Sequence, residues 1–547
     1  MPVDYPLTAR TIGRILADKA KRMPDRPFLF WQGHSFSYAQ VEALTNRYAN
    51  GFAALGVGHG DHVAVMLPNC PEFFWVVWGL GKIGAVAVPL NTAAKGEMLR
   101  YFIDQSDCGI VVFDRQWSDR IGAIATYLPK VARYIHCAQP NDNVLPSTDV
   151  VPSMDTVPSP LTALESVLSG NTSAPPLERV RHDDNHLIVY TSGTTGPSKG
   201  VMCPHSQGLG VGRQMALEFG YQSDDILYTC LPAFHVNALW YSSYAALWAG
   251  AAIALSPRFS ASLFWDEIRT TGATQFNSLG AMTNIIMQLP PGPHERQHAL
   301  RQCMVVPIQK SLYSEIRQRF GIKVTSLFAM SENFAVTVFV PDDRADKAGS
   351  AGSPRGAAAL RIVDDDGREL PAGQVGEILL RPLREGTMMK GYYKMPEQTA
   401  QAFADGWFCT GDRGYLDDDG YMYFVDRKKE AIRRRGENIS AYEVEMILSK
   451  HPAILEVAAV PVPSELSEDE VMVYVVTKPG QSISEAQLVH FAAEHMNYYM
   501  VPRFVQFIAA LPKTATEKIE KYKLKQDALS RRDQLWDRER EGIVIKR

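Results

Sequence analysis

Residues 190–200 read Tyr-Thr-Ser-Gly-Thr-Thr-Gly-Pro-Ser-Lys-Gly, directly after the apolar run Asn185-His-Leu-Ile-Val that leads into Tyr190. The apolar run reads as a buried strand. A hydroxyl- and glycine-rich turn leaving a strand end suits a polyphosphate, because its free backbone N–H groups form a concave anion site. Gly193 and Gly196 let the backbone approach phosphate oxygens without a Cβ in the way. Thr191, Ser192, Thr194 and Thr195 offer hydroxyl donors, and Lys199 offers a point charge. The spacing differs from the common phosphate loop, which needs Gly, four residues, then Gly-Lys-Ser/Thr, so a kinase or GTPase of that class is not expected. By composition alone the segment is also a plain polar turn.

Outward from this stretch, strands alternate with helices. Before it, strands are expected at His62–Met66, Ala85–Val88 and Gly109–Phe113, with helices over 8–22, Val41–Leu55 and Glu72–Ile83 and a hairpin turning at Gly33. Alternation of this kind implies parallel sheets covered by helices on both faces. Residues 139–177 are rich in Pro, Ser, Asn and Asp and read as a loop. A second alternating block is expected from Asn185 to about Val340. Over 350–426 short strands separated by Gly and Pro turns predict a small barrel-like or antiparallel unit. Beyond Arg427 lies a compact mixed unit: a helix at Tyr442–Lys450, strands at Val457–Val460, Val471–Val476 and Phe504–Ile508, and a helix at Glu485–Met496. The tail from Arg531 reads as helical or frayed. The expected class is α/β: a large N-terminal domain of parallel sheets (1–426, with sheet subdomains over about 1–340 and a β-rich one over about 350–426), and a small α+β C-terminal domain (427–547).

Composition narrows the function. The 547 residues are 46% hydrophobic, enough for several large cores. With 56 basic and 60 acidic residues the net charge is -4, which gives no basic footprint for nucleic acid. No run of eighteen apolar residues occurs, so no integral membrane contact is expected. The seven cysteines (70, 108, 137, 203, 230, 303 and 409) show no metal-ligand spacing. Their odd number, with no basic-then-apolar start at Met1–Pro6, points to a reducing cytoplasm.

Further segments occur in a telling order. They are Pro232-Ala-Phe-His235, Phe328-Ala-Met-Ser-Glu332, Trp407-Phe-Cys-Thr-Gly-Asp412, Asp426-Arg-Lys-Lys-Glu-Ala-Ile-Arg-Arg-Arg-Gly-Glu-Asn438 and Leu511-Pro-Lys-Thr-Ala-Thr-Glu-Lys518. With the 190–200 loop they resemble the signature segments of the adenylate-forming (AMP-binding) superfamily across nearly the whole chain. The 420–445 stretch and Pro290-Pro-Gly-Pro-His294 look most similar to crotonobetaine/carnitine-CoA ligases and related acyl-CoA ligases.

The resemblance implies an ATP-dependent, AMP-forming ligase that joins a small carboxylic acid to coenzyme A through an acyl-adenylate. Adenylation gathers negative charge on phosphate and carboxylate oxygens and therefore needs cations and fixed donors. By resemblance, Thr191–Gly196 and Lys199 hold the β- and γ-phosphates, Ser331 donates to the α-phosphate, and Glu332 is a hard oxygen ligand for Mg²⁺. Asp412 accepts from the ribose hydroxyls, Arg427 contacts ribose or phosphate, and Lys518 reaches the reacting oxygens. His235 lies in the acyl pocket. The C-terminal domain is expected to swing about Lys429, replacing Lys518 by the Gly436–Asn438 loop for the thioester step, and a homodimer is among the expected assemblies. Taken alone, each of these charged residues also reads as an ordinary surface charge. The acyl pocket is expected to carry Phe234, Trp240, Met282, Phe328 and Met330 beside the small Gly280, Ala281 and Ala329, which suits an apolar or partly aromatic acid. Trp240, Tyr241 and Phe334 are candidates for a cation cage, or simply core. Val305-Val-Pro-Ile308, Arg435 and Glu517 depart from the usual pattern. Other readings are an adenylating enzyme that loads a carrier protein and a non-catalytic nucleotide or acyl sensor.

Overall fold

The computed structural model describes residues 4–138, 154, 156–177, 179–191, 197–292, 295–308, 310–342, 344–356, 358–427, 431–465, 467–512 and 519–545. Two large sheets carry the first part of the chain. One has the strand order Leu161–Ala163, Arg133–Cys137, Ile110–Asp114, His62–Met66, Val86–Pro89, Asn185–Thr191, Lys199–Pro204. Its pairings are parallel apart from the last, where Asn185–Thr191 and Lys199–Pro204 run antiparallel with Thr191 opposite Lys199. The second sheet has a parallel centre built from Ile226–Thr229, Ala252–Leu255, Gln275–Leu279, Gln302–Val306 and Lys323–Phe328. The early hairpin Pro27–Trp31/His34–Ser37 extends this second sheet by parallel pairing with Ala252–Leu255.

Helices fill the space between the sheets. Pro71–Lys82 is buried along most of its length, as expected for a helix apolar on every side. Where it ends, Lys82 is enclosed with Glu42 and Asn46, whose oxygens accept from its ammonium at 2.5 and 2.7 Å. An antiparallel five-stranded sheet follows, containing Ala358–Val363, Gly376–Pro382, Phe403–Ala404, Trp407–Leu416 and Met422–Arg427. The last part of the chain holds the hairpin Ala431–Arg434/Glu437–Ser440, the helices Ala441–Leu448, Glu485–His495 and Lys521–Ser530, and a four-stranded sheet of Ile454–Pro463, Asp469–Thr477, Phe504–Phe507 and Trp536–Asp537.

Two local expectations change. The polar stretch read as a loop contains the strand Leu161–Ala163 and the helix Leu164–Leu168, while 139–153 lies outside the described residues. Buried Leu164 and Val167 anchor that helix. The Val167 carbonyl lies where a side chain on Gly51 would sit, 2.2 Å from an added Cβ. The charged tail is neither frayed nor wholly helical: Trp536–Asp537 pairs with Phe504–Val505, and Arg503 donates to Asp537.

Beneath the 191–199 hairpin, His186 and His205 stack with ring centroids 4.3 Å apart. His186 Nε2 lies 2.7 Å from the Tyr244 hydroxyl, and His205 Nδ1 accepts from the Ile12 N–H. Burial lowers both pKa values, that of His186 to about 3 and that of His205 well below 6.5. Both rings are therefore neutral in the folded chain, while the unfolded chain takes up their protons below about pH 6.5. The His186 contribution to stability is complete above that value and falls with pH between 6.5 and about 3, by about 1.4 kcal/mol per pH unit, and His205 acts in the same direction. Denaturant midpoints from pH 7.5 down to 5 should show this slope, and His186→Gln should reduce it, leaving the part due to His205. A slope identical in the variant would remove His186 from the account.

Candidate active site

A cavity of about 650 Å³ opens where the two large sheets, the five-stranded sheet and the last part of the chain converge. Strand ends supply much of its wall. Thr191 and Lys199 stand at the open end of their hairpin. Residues 192–196, including Ser192, Gly193, Thr194, Thr195 and Gly196, lie outside the described residues.

Ser331 and Glu332 follow the end of Lys323–Phe328 and line the cavity. The Ser331 carbonyl accepts from Gln207 Nε2 at 2.9 Å. Glu332 Oε1 accepts from the Tyr392 hydroxyl at 3.1 Å, and the Lys199 ammonium lies 4.5 Å from the centre of the Tyr392 ring. Tyr392 thus joins the Lys199 cation of the 191–199 hairpin to the Glu332 carboxylate, and burial beside Glu332 raises its hydroxyl pKa far above the usual value. The sequence reading missed Tyr392, since one tyrosine in a turn carries no pattern. No cluster of three or more His, Cys, Asp or Glu side chains suited to a metal occurs among the described residues. A lone carboxylate beside a phosphate turn fits Mg²⁺, which binds through one or two carboxylates plus substrate phosphates.

Asp412 sits in the long strand Trp407–Leu416, is 5% exposed and lines the cavity. The preceding Gly411 has φ +71°, a left-handed turn that favours glycine. Thr410 braces this turn: its hydroxyl donates to the Ile378 carbonyl and accepts from the Asp412 N–H. Trp407 is not in the cavity wall; the guanidinium carbons of Arg361 and Arg381 lie 4.2 and 4.7 Å from its ring centre. The backbone of Arg427 pairs with Asp412. Lys429 and Lys518 lie outside the described residues.

The far wall comes from the last part of the chain. Arg435 and Gly436 form a two-residue turn with φ +52° and +84°, closing the hairpin Ala431–Ser440. A Cβ on Gly436 would stand 2.1 Å from Leu279 Cδ1, so glycine permits this close approach. Arg435 pairs with Glu470 and Glu539 and is not in the cavity wall. After the turn, Glu437 Oε1 lies 3.3 Å from His235 Nε2. Glu443, from the next helix, reaches the stem of the phosphate hairpin: its Oε1 accepts from the Ser198 N–H at 3.0 Å and hydroxyl at 2.5 Å. Tyr101 donates to the Ser198 carbonyl from the other side. Burial raises the Glu443 carboxyl pKa while the Ser198 bonds oppose that rise.

The acyl side differs in part from expectation. Phe234, Ala329 and Met330 line the cavity, but Trp240, Met282 and Phe328 are buried in the cores beside it. A π-helix, Asn237–Tyr244, follows His235. It carries Asn237 and Tyr241 in the cavity wall, while Trp240 is fully buried. Asn277 donates to Asn237 Oδ1 and Ser242 Oγ, tying the π-helix to strand Gln275–Leu279.

Residues 16–393 match the AMP-binding enzyme family and 443–518 match the AMP-binding enzyme C-terminal domain. The chain is similar to the crotonobetaine/carnitine-CoA ligase of Salmonella typhimurium, 33% identical over 498 residues that cover 90% of this chain and 93% of the relative. Among solved structures it resembles a Mycobacterium tuberculosis fatty acyl CoA synthetase (28% identity, TM-score 0.67, covering 95% and 99% of the two chains). Its fold also matches a double mutant of Bacillus subtilis o-succinylbenzoate CoA synthetase (24% identity, TM-score 0.79, covering 94% and 98%). The chain belongs to the AMP-binding enzyme family, the adenylate-forming enzymes. Within that family it is an ATP-dependent, AMP-forming carboxylate–CoA ligase. Among the described residues no helix is long and apolar enough to cross a membrane.

Proposed function

We propose that the chain activates a carboxylic acid with an uncharged, apolar or partly aromatic tail, and that its residues divide the work as follows. Thr191–Gly196 and Lys199 hold the β- and γ-phosphates, and Ser331 donates to the α-phosphate. Glu332 holds Mg²⁺, which when bound neutralises phosphate charge. Asp412 and Arg427 fix the ribose. Lys518 steadies the oxygens that gain charge as the acid attacks the α-phosphorus and pyrophosphate leaves. The 427–547 domain then turns about Lys429 and brings Gly436–Asn438 to the acyl-adenylate, where the CoA thiol displaces AMP.

The observation that carries this reading is one shared wall. The 191–199 hairpin end, Glu332, Asp412, His235 and the 436–438 turn all line the same 650 Å³ cavity. A nucleotide, an acid and a thiol can thus meet there without leaving the protein. Of the three aromatic residues considered for a cation cage, Tyr241 alone is in the wall; Trp240 and Phe334 are buried. Among the described residues, the wall includes the apolar or aromatic side chains Phe234, Val236, Tyr241, Leu279, Ala329 and Met330. This supports an uncharged tail even though the curated relatives are named for betaine acids.

A panel of acids tests the assignment. Medium-chain and aryl acids are expected to exceed carnitine and crotonobetaine in kcat/KM by about tenfold or more, because burying an unpaired charge is costly. Betaine acids emerging as the best substrates would overturn the tail assignment.

A further inference from the structure

Two polar groups on the π-helix Asn237–Tyr244 belong to the cavity wall and are left without a partner on the protein. Asn237 and Tyr241 both line the cavity, together with the apolar Phe234, Val236 and Met330. Asn277, buried on strand Gln275–Leu279, donates its side-chain amide to Asn237 Oδ1 at 3.2 Å and to Ser242 Oγ at 3.0 Å. The Asn237 oxygen is thereby turned toward the strand and used. Its Nδ2, which carries two N–H donors, has no hydrogen bond to any described residue. Tyr241 is the firmer observation. The residue is 4% exposed, and its enclosed hydroxyl has no hydrogen-bond partner among the described residues. Burial raises the pKa of that hydroxyl, so it stays a neutral donor. Trp240 Nε1 also lacks a partner, but Trp240 is not in the wall.

We propose that Asn237 and Tyr241 are specificity-determining residues that hydrogen-bond a neutral oxygen on the acyl tail, so that the substrate is a hydroxy, oxo or alkoxy acid rather than a plain hydrocarbon acid. The inference rests on the ligase reading above and narrows the tail it describes. Buried polar side-chain atoms are paired as a rule. One left unpaired carries the full cost of its lost hydration. A bound molecule with an acceptor in the right place removes that cost, and ligand pockets use such sparse polar groups in apolar walls to select their occupants.

The two groups also set the chemistry of what they accept. Both are uncharged and both donate. A carbonyl, ether or hydroxyl oxygen accepts from them without bringing a charge into the pocket. A second carboxylate or an ammonium would bring one that needs its own partner. A saturated tail of the same size would fill the space and leave both donors unpaired. That is why a site built to bond a substrate oxygen discriminates strongly against the analogue that lacks it. The tail oxygen takes no part in bond making or breaking. Its contribution is therefore the same in the ground and transition states, and it falls on KM more than on kcat.

The test is an oxygen scan on the full-length protein, read as acid-dependent AMP release with ATP, Mg²⁺ and CoA. One series holds aliphatic acids of equal length in which a single methylene at a time is replaced by an ether oxygen. The other holds benzoic acids in which a ring methyl is replaced by a hydroxyl at the ortho, meta or para position. At one position the oxygen acid is expected to exceed its hydrocarbon counterpart in kcat/KM by about tenfold or more, mostly through KM. Tyr241→Phe should bring that ratio to within about threefold of one. Asn237→Asp keeps the oxygen that Asn277 holds and removes the donor, so it should do the same for ether oxygens. A second readout needs no substrate. Tyr241→Phe deletes an unpaired hydroxyl, so its denaturant midpoint should equal or exceed that of the unaltered protein. A lower midpoint would show the hydroxyl already paired inside the protein and would overturn the proposal. So would the absence of a gain at any position, or a gain that survives both substitutions, with the ligase reading left standing. A dicarboxylic or betaine acid emerging as the best substrate would overturn it as well. If no acid of any kind released AMP, the ligase reading itself would fail, and this proposal with it.

Discussion

Replacing Lys518 with alanine is expected to cut acid-dependent pyrophosphate exchange by about 10²–10³-fold, the usual loss when one fixed donor to a developing charge is removed. Thioester formation from supplied acyl-adenylate should stay within about threefold, since charge there develops on the carbonyl oxygen and the departing AMP. The asymmetry follows from what occupies the cavity. One wall of the cavity is built by Gly436, Glu437 and Asn438, with the hairpin turn against Leu279, and Glu443 reaches the 191–199 hairpin at Ser198. Equal loss of both half-reactions would contradict the division of labour, and an unimpaired exchange rate would remove Lys518 from adenylation.

Asp412 carries the second large effect. Its carboxylate is nearly enclosed at the cavity wall, and the strand around it is braced by Thr410. Hydrogen bonds to a charged acceptor contribute about 1.5–3 kcal/mol each. Losing a pair of them to the ribose should lower kcat/KM for ATP by about 10²-fold or more in Asp412→Ala. The variant should also stop distinguishing ATP from 2′-deoxy-ATP, whereas the unaltered enzyme prefers ATP. Retained discrimination between the two nucleotides would place the ribose elsewhere.

Much of this was legible in the sequence because local order carries it. The apolar run before residue 191 is a strand, as its pattern predicts, and the helix expected over Glu72–Ile83 is the largely apolar, buried helix Pro71–Lys82. The motif residues Lys199, His235, Ser331, Glu332, Asp412 and Gly436 meet in one cavity. What the sequence did not disclose are relations between distant segments. The hairpin Pro27–Ser37 precedes the first parallel sheet in sequence yet joins the second one. That choice is made by the partner strand Ala252–Leu255, more than two hundred residues further on. The contact between Ser198 and Glu443 spans 245 residues, and neither residue signals the other. The acyl wall shows the same limit: Trp240, Met282 and Phe328 are large apolar side chains that the cores absorb, and nothing in their local order separates a core residue from a lining one.

The most direct test of the account is AMP release by the purified protein given ATP, Mg²⁺ and a panel of carboxylic acids, with and without CoA. The account predicts AMP and acyl-CoA formed in equal amounts, only when both an acid and CoA are present, with pyrophosphate as the other product. Acid-dependent pyrophosphate exchange with no acyl-CoA formed from any acid would contradict it, as would ATP binding with no turnover across the whole panel.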